Sequence, residues 1–326
     1  MSQTPDSPPL SPPAGFHWRP VQRDDVPAIQ QLTIATAAVD KTEGPASPQN
    51  IQQIFALLGD EMPRNSLAGL TPAGEIVALA MVFFRPADNE RLAMISGTVH
   101  PDYRARGLGS YLLAWMEARV QQQAARDNND QPVRVQTSCA DHLQDRITLF
   151  GQHGFAPIRY AYKMRHPLAQ QIAKTSLPDG LQLIPWHETH SDAARQAFNI
   201  AFQDIWGVPE MDTTLWQQFF VGVPQFRPDL SWLVLADETI VAFCINWVNE
   251  RNQEGWIEAV GVLPAWRGRG VAAALLTQSL HEFQALGLKS AGLDVDTENP
   301  TGALQLYEKL GFAAIKRTIF FSKPLN

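Results

Sequence analysis

The feature that most limits how this chain can fold is an internal repeat. The stretch Val99-His100-Pro101-Asp102-Tyr103-Arg104-Ala105-Arg106-Gly107-Leu108-Gly109 returns, 163 positions on and without a gap, as Val262-Leu263-Pro264-Ala265-Trp266-Arg267-Gly268-Arg269-Gly270-Val271-Ala272. A period this long means duplicated domains, not a solenoid of small units. The length of 326 residues agrees with two domains, and each copy is long enough to bury its own core.

The surrounding elements return in the same order. A short strand at Phe16–Pro20 and a helix over 24–39 are echoed by a strand at Leu181–Pro185 and the helix in SDAARQAFNIAF. A hairpin, Ser66–Leu70 with Ile76–Phe84 around Thr71-Pro72-Ala73-Gly74, is echoed by Ser231–Ala236 with Ile240–Trp247. Leu92–Val99 then leads through the repeated turn into the helix SYLLAWMEARVQQQAAR. The first copy closes with a strand at Val133–Thr137, a helical stretch to Phe150 and a strand at Arg159–Met164. Residues 1–13 hold five prolines and little to bury, so a disordered tail is expected there. The polar segment HPLAQQIAKTSLPDG contains the expected linker. The domains expected are therefore 14–167 and 180–326, joined by 168–179. Alternation of strands and helices within each copy argues for an α/β layered fold.

Composition removes several alternatives. With 26 Lys and Arg against 33 Asp and Glu, the net charge of −7 does not favour a nucleic-acid partner. The longest apolar run, Ile76–Phe84, is too short to span a bilayer, and the N-terminus has no basic start or apolar core of a secretory signal. Two cysteines, Cys139 and Cys244, make no disulfide framework, and a cytoplasmic location is expected. Nothing in the sequence speaks to oligomeric state.

Both repeated segments end an apolar strand with Val-x-Pro, place R-x-x-G-x-G or R-x-x-G-x-A, and start a helix. Glycine lets backbone approach a ligand closely, and the first amides of a helix point outward unpaired at the positive end of its dipole. That combination suits pyrophosphate. The candidate residues are Arg267, Gly268, Arg269, Gly270, Val271 and Ala272, and in the first copy Val99, Arg104, Arg106, Gly107 and Gly109.

The run IEAVGVLPAWRGRGVAAALL, followed by NPTGALQLYEKLGF, resembles the GCN5-related N-acetyltransferases, and two copies in one chain resemble the tandem members, including the mycothiol synthase group. The resemblance implies two domains, each a mostly antiparallel mixed sheet flanked by helices. It implies acetyl-CoA as cosubstrate, with pyrophosphate on the turn. The pantetheine arm would lie along Val260, Gly261 and Val262 in a wedge between splayed strands, with Asn299 contacting it. A backbone amide of this strand would polarise the thioester carbonyl.

Acyl transfer to an amine also needs a base and an acid. Tyr307 is the acid candidate. It shares a helical face with Ala303, Leu306 and Leu310, in a helix expected to be capped by Asn299 with Pro300 as first residue and ended by Gly311. In the family a tyrosine here lies near the CoA sulfur. Glu258 is the base candidate on an otherwise apolar strand, four residues before Val262 and so expected on its face. A salt bridge or a substrate-recognition role fits that position as well. In the first copy Ile95 falls opposite Glu258 at the same offset. Aligning Gly154-Phe155 with Gly311-Phe312 sets Phe150 opposite Tyr307 and His142 opposite Asn299. The first copy thus keeps a phosphate turn without the proton-transfer groups.

Asp204, Trp206, Glu210, Asp212 and Trp216 lie in one excursion after the first helix of the second copy. They offer aromatic and acidic walls for a cationic amine, or the packing of a helical segment; Trp256 shares a face with Glu258. His187 and His190 stand alone, so no metal is expected. Cys139 and Cys244 lack the partners of a nucleophile, so direct transfer is expected. The expected activity is acetyl transfer to a small-molecule primary amine by the second copy. The alternatives are a non-catalytic acyl-CoA sensor or a mycothiol synthase-like enzyme.

Overall fold

The computed structural model describes residues 11–42, 44–85, 90–127 and 131–325. The tail expected over 1–13 falls mainly outside them. In chain order the elements are β1 (His17–Arg19), α1 (Val26–Asp40), α2 (Pro48–Leu58), α3 (Met62–Asn65), β2 (Ser66–Leu70), β3 (Ile76–Arg85), β4 (Arg91–Val99), α4 (Leu108–Asp127), β5 (Val133–Ala140), α5 (Gln144–Gln152) and β6 (Ala156–Pro167). They continue as β7 (Leu181–Pro185), α6 (Ser191–Phe202), α7 (Thr213–Trp216), β8 (Trp232–Ala236), β9 (Thr239–Asn249), β10 (Glu254–Val262), α8 (Val271–Ala285), β11 (Ser290–Asp296), α9 (Ala303–Lys309) and β12 (Ala313–Leu325). Helix α2 lies outside the elements anticipated above. Its start is marked by Ser47, whose hydroxyl accepts the Asn50 amide at 3.1 Å.

Two compact units result, Met1–Ile158 with Ile319–Asn326, and Arg159–Thr318. The expected boundaries at 167 and 180 differ from this partition at both ends. Most of β6 belongs to the second unit, where it pairs antiparallel with β11 from Pro167↔Ser290 to Ala161↔Asp296. The end of β12 belongs to the first unit. There the Phe321 ring lies 5.3 Å from Phe150, and Lys323 Nζ reaches both Glu117 carboxylate oxygens at 2.9 Å. Alternating apolar residues identify a strand, but they do not say which sheet it joins. The expected linker 168–179 also packs in the second unit, burying Leu168 and Ile172 in its core.

In the first unit the strand order is β1-β2-β3-β4-β5, and in the second it is β6-β11-β10-β9-β8-β7. Both sheets are mostly antiparallel, with one parallel pair each, β4 with β5 and β10 with β11. The second unit buries side chains on both faces of its sheet. Leu275, Leu276 and Phe283 of α8 cover Val241, Leu293 and Val295 on one face. Phe198 of α6 and Trp216 cover Phe243 and Ile245 on the other. Two-sided burial explains why these central strands read as nearly continuous apolar runs.

Candidate active site

The two parallel strands of the second unit separate partway along. β10 and β11 pair only from Glu254↔Ser290 to Trp256↔Gly292, although β10 runs on to Val262 and β11 to Asp296. The free stretch of β10 and β11 therefore form the walls of an open wedge, and among the described residues no strand pairs with that side of β10 beyond Trp256. The separation begins at a bulge. β10 pairs β9 as Ile257↔Asn246 and then Ala259↔Ile245, so Glu258 is the extra residue.

The bulge changes the expected side-chain parity. Val260 and Val262 pack on the α8 face, whereas Ala259 packs on the α6 face. Glu258 lies with Trp256, whose indole Nε1 donates to Glu258 Oε2 at 3.0 Å. Glu258 and Val262 thus do not share a face, because one inserted residue reverses the alternation. The pairing of Glu258 with Trp256 stands.

Glu258 is half-buried, and the desolvation of its carboxyl together with the nearby Asp294 charge pushes it up to about 8, against the pull of the Trp256 hydrogen bond. On the same face, Lys163 of β6 lies across from Asp294 and its ammonium stands 4.6 Å from the Trp256 ring centroid. Glu254 is engaged elsewhere: it is buried and accepts from Arg165 Nε at 2.7 Å.

At the end of β10 the repeated turn takes the conformation its glycines predict. Gly268 and Gly270 have φ of 73° and 82°, and α8 begins directly after Gly270. Its first N–H groups face outward at the end of the wedge. The two arginines of the turn are held by the protein itself. Arg267 donates from Nε to Val262 O at 3.1 Å and from an Nη to Ala201 O at 2.9 Å, tying the strand end to α6. The Arg269 guanidinium lies 4.7 Å from the Trp266 ring centroid. Gly261 answers a packing demand, since a Cβ there would stand 2.3 Å from the Phe243 ring.

Tyr307 projects from α9 into the core on the α8 face, buried beside Phe312 at a centroid distance of 6.0 Å. Burial raises its phenol well above the usual range, and it keeps its proton. Ala303, Leu306 and Leu310 pack on the same cluster, as the helical spacing predicts. Helix α9 starts later than expected. Gly302 is its cap, and Asn299 instead closes a short turn, its Oδ1 accepting from the Thr301 amide at 2.9 Å. Asn-Pro is as good a turn opening as a helix start, and the left-handed φ of 75° at Gly302 ends the turn before the helix begins.

The excursion after α6 divides by role. The Trp206 ring lies 5.4 Å below the Arg159 guanidinium, while Asp204 and Glu210 are exposed. Asp212 caps α7 by accepting the Leu215 amide at 2.8 Å. Trp216 is a core residue, stacked on Phe220 with its Nε1 on Ser191 Oγ. Of the residues proposed as pocket walls, Asp212 and Trp216 are therefore structural. His187 is bonded to Thr189. Among the described residues no group of three or more His, Cys, Asp or Glu is arranged to hold a metal ion.

The first unit repeats this frame with different side chains. β4 and β5 pair from Arg91↔Val133 to Met94↔Gln136 and then separate. Gly107 has φ of 81°, and Ala105 takes φ of 59° where the second copy has Gly268. Arg104 Nε bonds Val99 O at 3.2 Å, as Arg267 bonds Val262 O, but its Nη atoms hold the buried carboxylate of Asp40 at 2.7 and 2.9 Å. Arg146 and His142 of the α5 segment also close on Asp40. Arg106 stands over Tyr103, and Gly109 leaves room for Leu149. Phe150 and Phe155 are 6.0 Å apart, the spacing of Tyr307 and Phe312, so Phe150 replaces the phenol. β4 runs beside β3 in unbroken register from Ala78↔Val99 to Arg85↔Leu92. Ile95 and Ile257 occupy corresponding positions, and Glu258 has no counterpart at all.

A sheet splayed beside a glycine turn and a helix N-terminus, present twice and opened at a bulge in the second unit, defines a tandem acyltransferase frame. Residues 32–155 and 191–312 each match the acetyltransferase (GNAT) family, and the chain belongs to that family as a two-domain N-acetyltransferase. Acyl-CoA use follows from the family. The chain is 27% identical over 305 residues to a mycothiol acetyltransferase of Thermobispora bispora, covering 90% of this chain and 95% of that protein. A mycothiol acetyltransferase of Streptomyces griseus is 32% identical over 221 residues, 66% of each chain. Among solved structures, a GCN5-related N-acetyltransferase from Sphaerobacter thermophilus aligns with a TM-score of 0.79 at 28% identity, covering 96% of this chain and 97% of that one. A tandem GNAT protein from the clavulanic acid biosynthesis pathway shares the fold, with a TM-score of 0.70 at 15% identity over 95% of this chain and 98% of that one.

Proposed function

We propose that the second unit transfers an acetyl group from acetyl-CoA to a primary amine of a small molecule by direct attack. The amine nitrogen bonds to the thioester carbonyl carbon, and the carbon–sulfur bond breaks. Glu258 takes the proton released by the amine, and Tyr307 supplies one to the departing sulfur, giving an amide and free CoA. The pyrophosphate rests on the first amides of α8 at Gly270, Val271 and Ala272. The pantetheine follows the free edge of Val260–Val262, whose amides also polarise the carbonyl.

The observation that carries this reading is Glu258 itself. It is the inserted residue of the bulge, its carboxyl is raised to about 8, and it lies where the strands part. A base with that affinity for protons is matched to an alkyl ammonium better than an ordinary carboxylate is. Burial also holds the thiols of Cys139 and Cys244 up to about 11 and about 12, which supports direct transfer over an acyl-enzyme. The first unit, without bulge, carboxylate or phenol, serves as scaffold or as a CoA binder that does not turn over.

The relatives bearing the name mycothiol acetyltransferase make an amine related to mycothiol the first acceptor to try. The test is CoA release across a panel of small amines with the full chain, Glu258→Gln and Tyr307→Phe. Activity that drops in both variants with acetyl-CoA affinity intact supports the reading. Full activity in both removes it, and acetyl-CoA binding without release for any amine favours the sensor reading.

A further inference from the structure

The second unit contains a buried polar network that the proton-transfer scheme does not use. Asn246, Ser279 and Cys244 are each 0% exposed, deep between β9 and α8. Asn246 Nδ2 donates to Ser279 Oγ at 2.7 Å and to Leu230 O at 2.6 Å, and Ser279 Oγ donates to Leu275 O at 3.1 Å. The Cys244 sulfur lies 3.3 Å from Ser279 Oγ and 3.5 Å from Asn246 Oδ1. Burying an amide is unfavourable unless it is fully bonded, and a fully bonded network fixes one arrangement of the elements it joins.

The repeat supplies an internal comparison. Ala242 pairs with Val262 as Ala78 pairs with Val99, so along β9 and β3 Asn246 corresponds to Val82 and Cys244 to Ala80. Counting from Gly270 and Gly107 into the helices, Ser279 corresponds to Met116. Val82, Ala80 and Met116 are all buried in the first unit's core. At these three positions the first unit's strand-on-helix layer therefore packs without polar groups, and scaffolding there does not call for the network. The unit with apolar residues has an unbroken β3–β4 register, and the unit with the network has the bulge. The pair at that bulge is Asn246↔Ile257, the step immediately before Glu258.

We infer that Asn246 and Ser279 are positioning residues: they lock β9 to α8 at the level of the bulge and thereby aim Glu258. The network joins α8 to the strand that pairs with β10 at the bulge, so the register beside Glu258 is referred to one rigid connection. This inference rests on the proposed role of Glu258.

The test transplants the first copy's residues, Asn246→Val with Ser279→Met, alone and together with Glu258→Gln. kcat should fall about tenfold or more, as small misplacements of reacting groups do, with acetyl-CoA affinity within a factor of two. The limb of the pH profile should move below that of the parent, because a loosened bulge admits water to the carboxyl. In the Glu258→Gln background the same swap should change kcat by less than a factor of two. Parental kcat and pH limb in the double variant overturn the inference, as does an equal loss in both backgrounds. A Glu258→Gln variant of parental activity overturns the role of Glu258 first, and with it this inference. If the double variant does not fold, Ser279→Ala takes its place: a lower limb and reduced kcat support the inference, and an unchanged profile sinks it.

Discussion

Trp256 and Glu258 stand two residues apart on β10 with their side chains joined at 3.0 Å, and the bulge at Glu258 leaves that pair beside the opening between β10 and β11. The indole donates to the charged form of the carboxyl, while burial and Asp294 act in the other direction and prevail. This balance sets how the molecule should respond to pH.

Acetyl transfer should rise as pH increases through about 8, where the carboxyl loses its proton, and then level off. Trp256→Phe removes the bond that favours the carboxylate, so its limb should lie at higher pH. A pH–rate profile of kcat/KM for parent and variant measures both. A limb near 4–5 contradicts the assignment.

The same carboxyl should weaken the fold at alkaline pH. Its folded value lies above that of an unfolded glutamate, so the native state holds an extra proton between about 4.5 and about 8. Stability present below that window is lost as pH rises through it. Glu258→Gln avoids the buried charge and should raise Tm at pH 8.5 while changing it little at pH 4.5. Thermal melts at the two pH values decide this.

Tyr307→Phe deletes one hydroxyl from a buried ring and keeps its packing on Phe312. Turnover should fall about 100-fold, the lower range for a lost general acid. Acetyl-CoA affinity measured by calorimetry should stay within a factor of two.

Calorimetry also separates the two turns. Arg267→Glu with Gly270→Asp places a carboxylate at the α8 start and strains a position at φ of 82°, and it should abolish the binding that supports turnover. The matching pair in the first copy, Arg106→Glu with Gly107→Asp, which spares the Arg104–Asp40 pair, should leave that binding and the turnover in place. Loss of turnover only in the second pair would reverse the roles proposed for the two units.

Asp40→Ala should leave Arg104 and Arg146 without their shared carboxylate inside the first unit. The loss should be toward the low end of the roughly 3–5 kcal/mol seen on breaking buried pairs, since Arg104 is 31% exposed. Urea unfolding reads it directly.

Much of this protein is legible in its residues. The repeat announces two copies, and Gly107, Gly268 and Gly270 announce left-handed positions before α4 and α8, because glycine reaches those backbone angles without the strain a side chain brings, whereas the left-handed Ala105 is not legible in this way. Helical spacing correctly puts Tyr307 on the buried face of α9, and Phe150 opposite it shows the phenol missing from the first copy. These signals are local: each depends on a few neighbours along the chain.

Other properties depend on partners distant in sequence, and only the tertiary structure decides them. Whether β6 and β12 complete one sheet or another is set by their hydrogen-bonded neighbours. The bulge at Glu258 exists only relative to Ile245 and Asn246 across the ladder, and it reverses a parity that the chain taken alone predicts. The arginines of the turns look like free cations in the sequence, yet in the fold one bonds Ala201 O and its counterpart holds Asp40. Sequence periodicity assigns inward faces wherever the ladder runs unbroken, but bulges, burial, charge and hydrogen bonding at a site are set by everything packed around it.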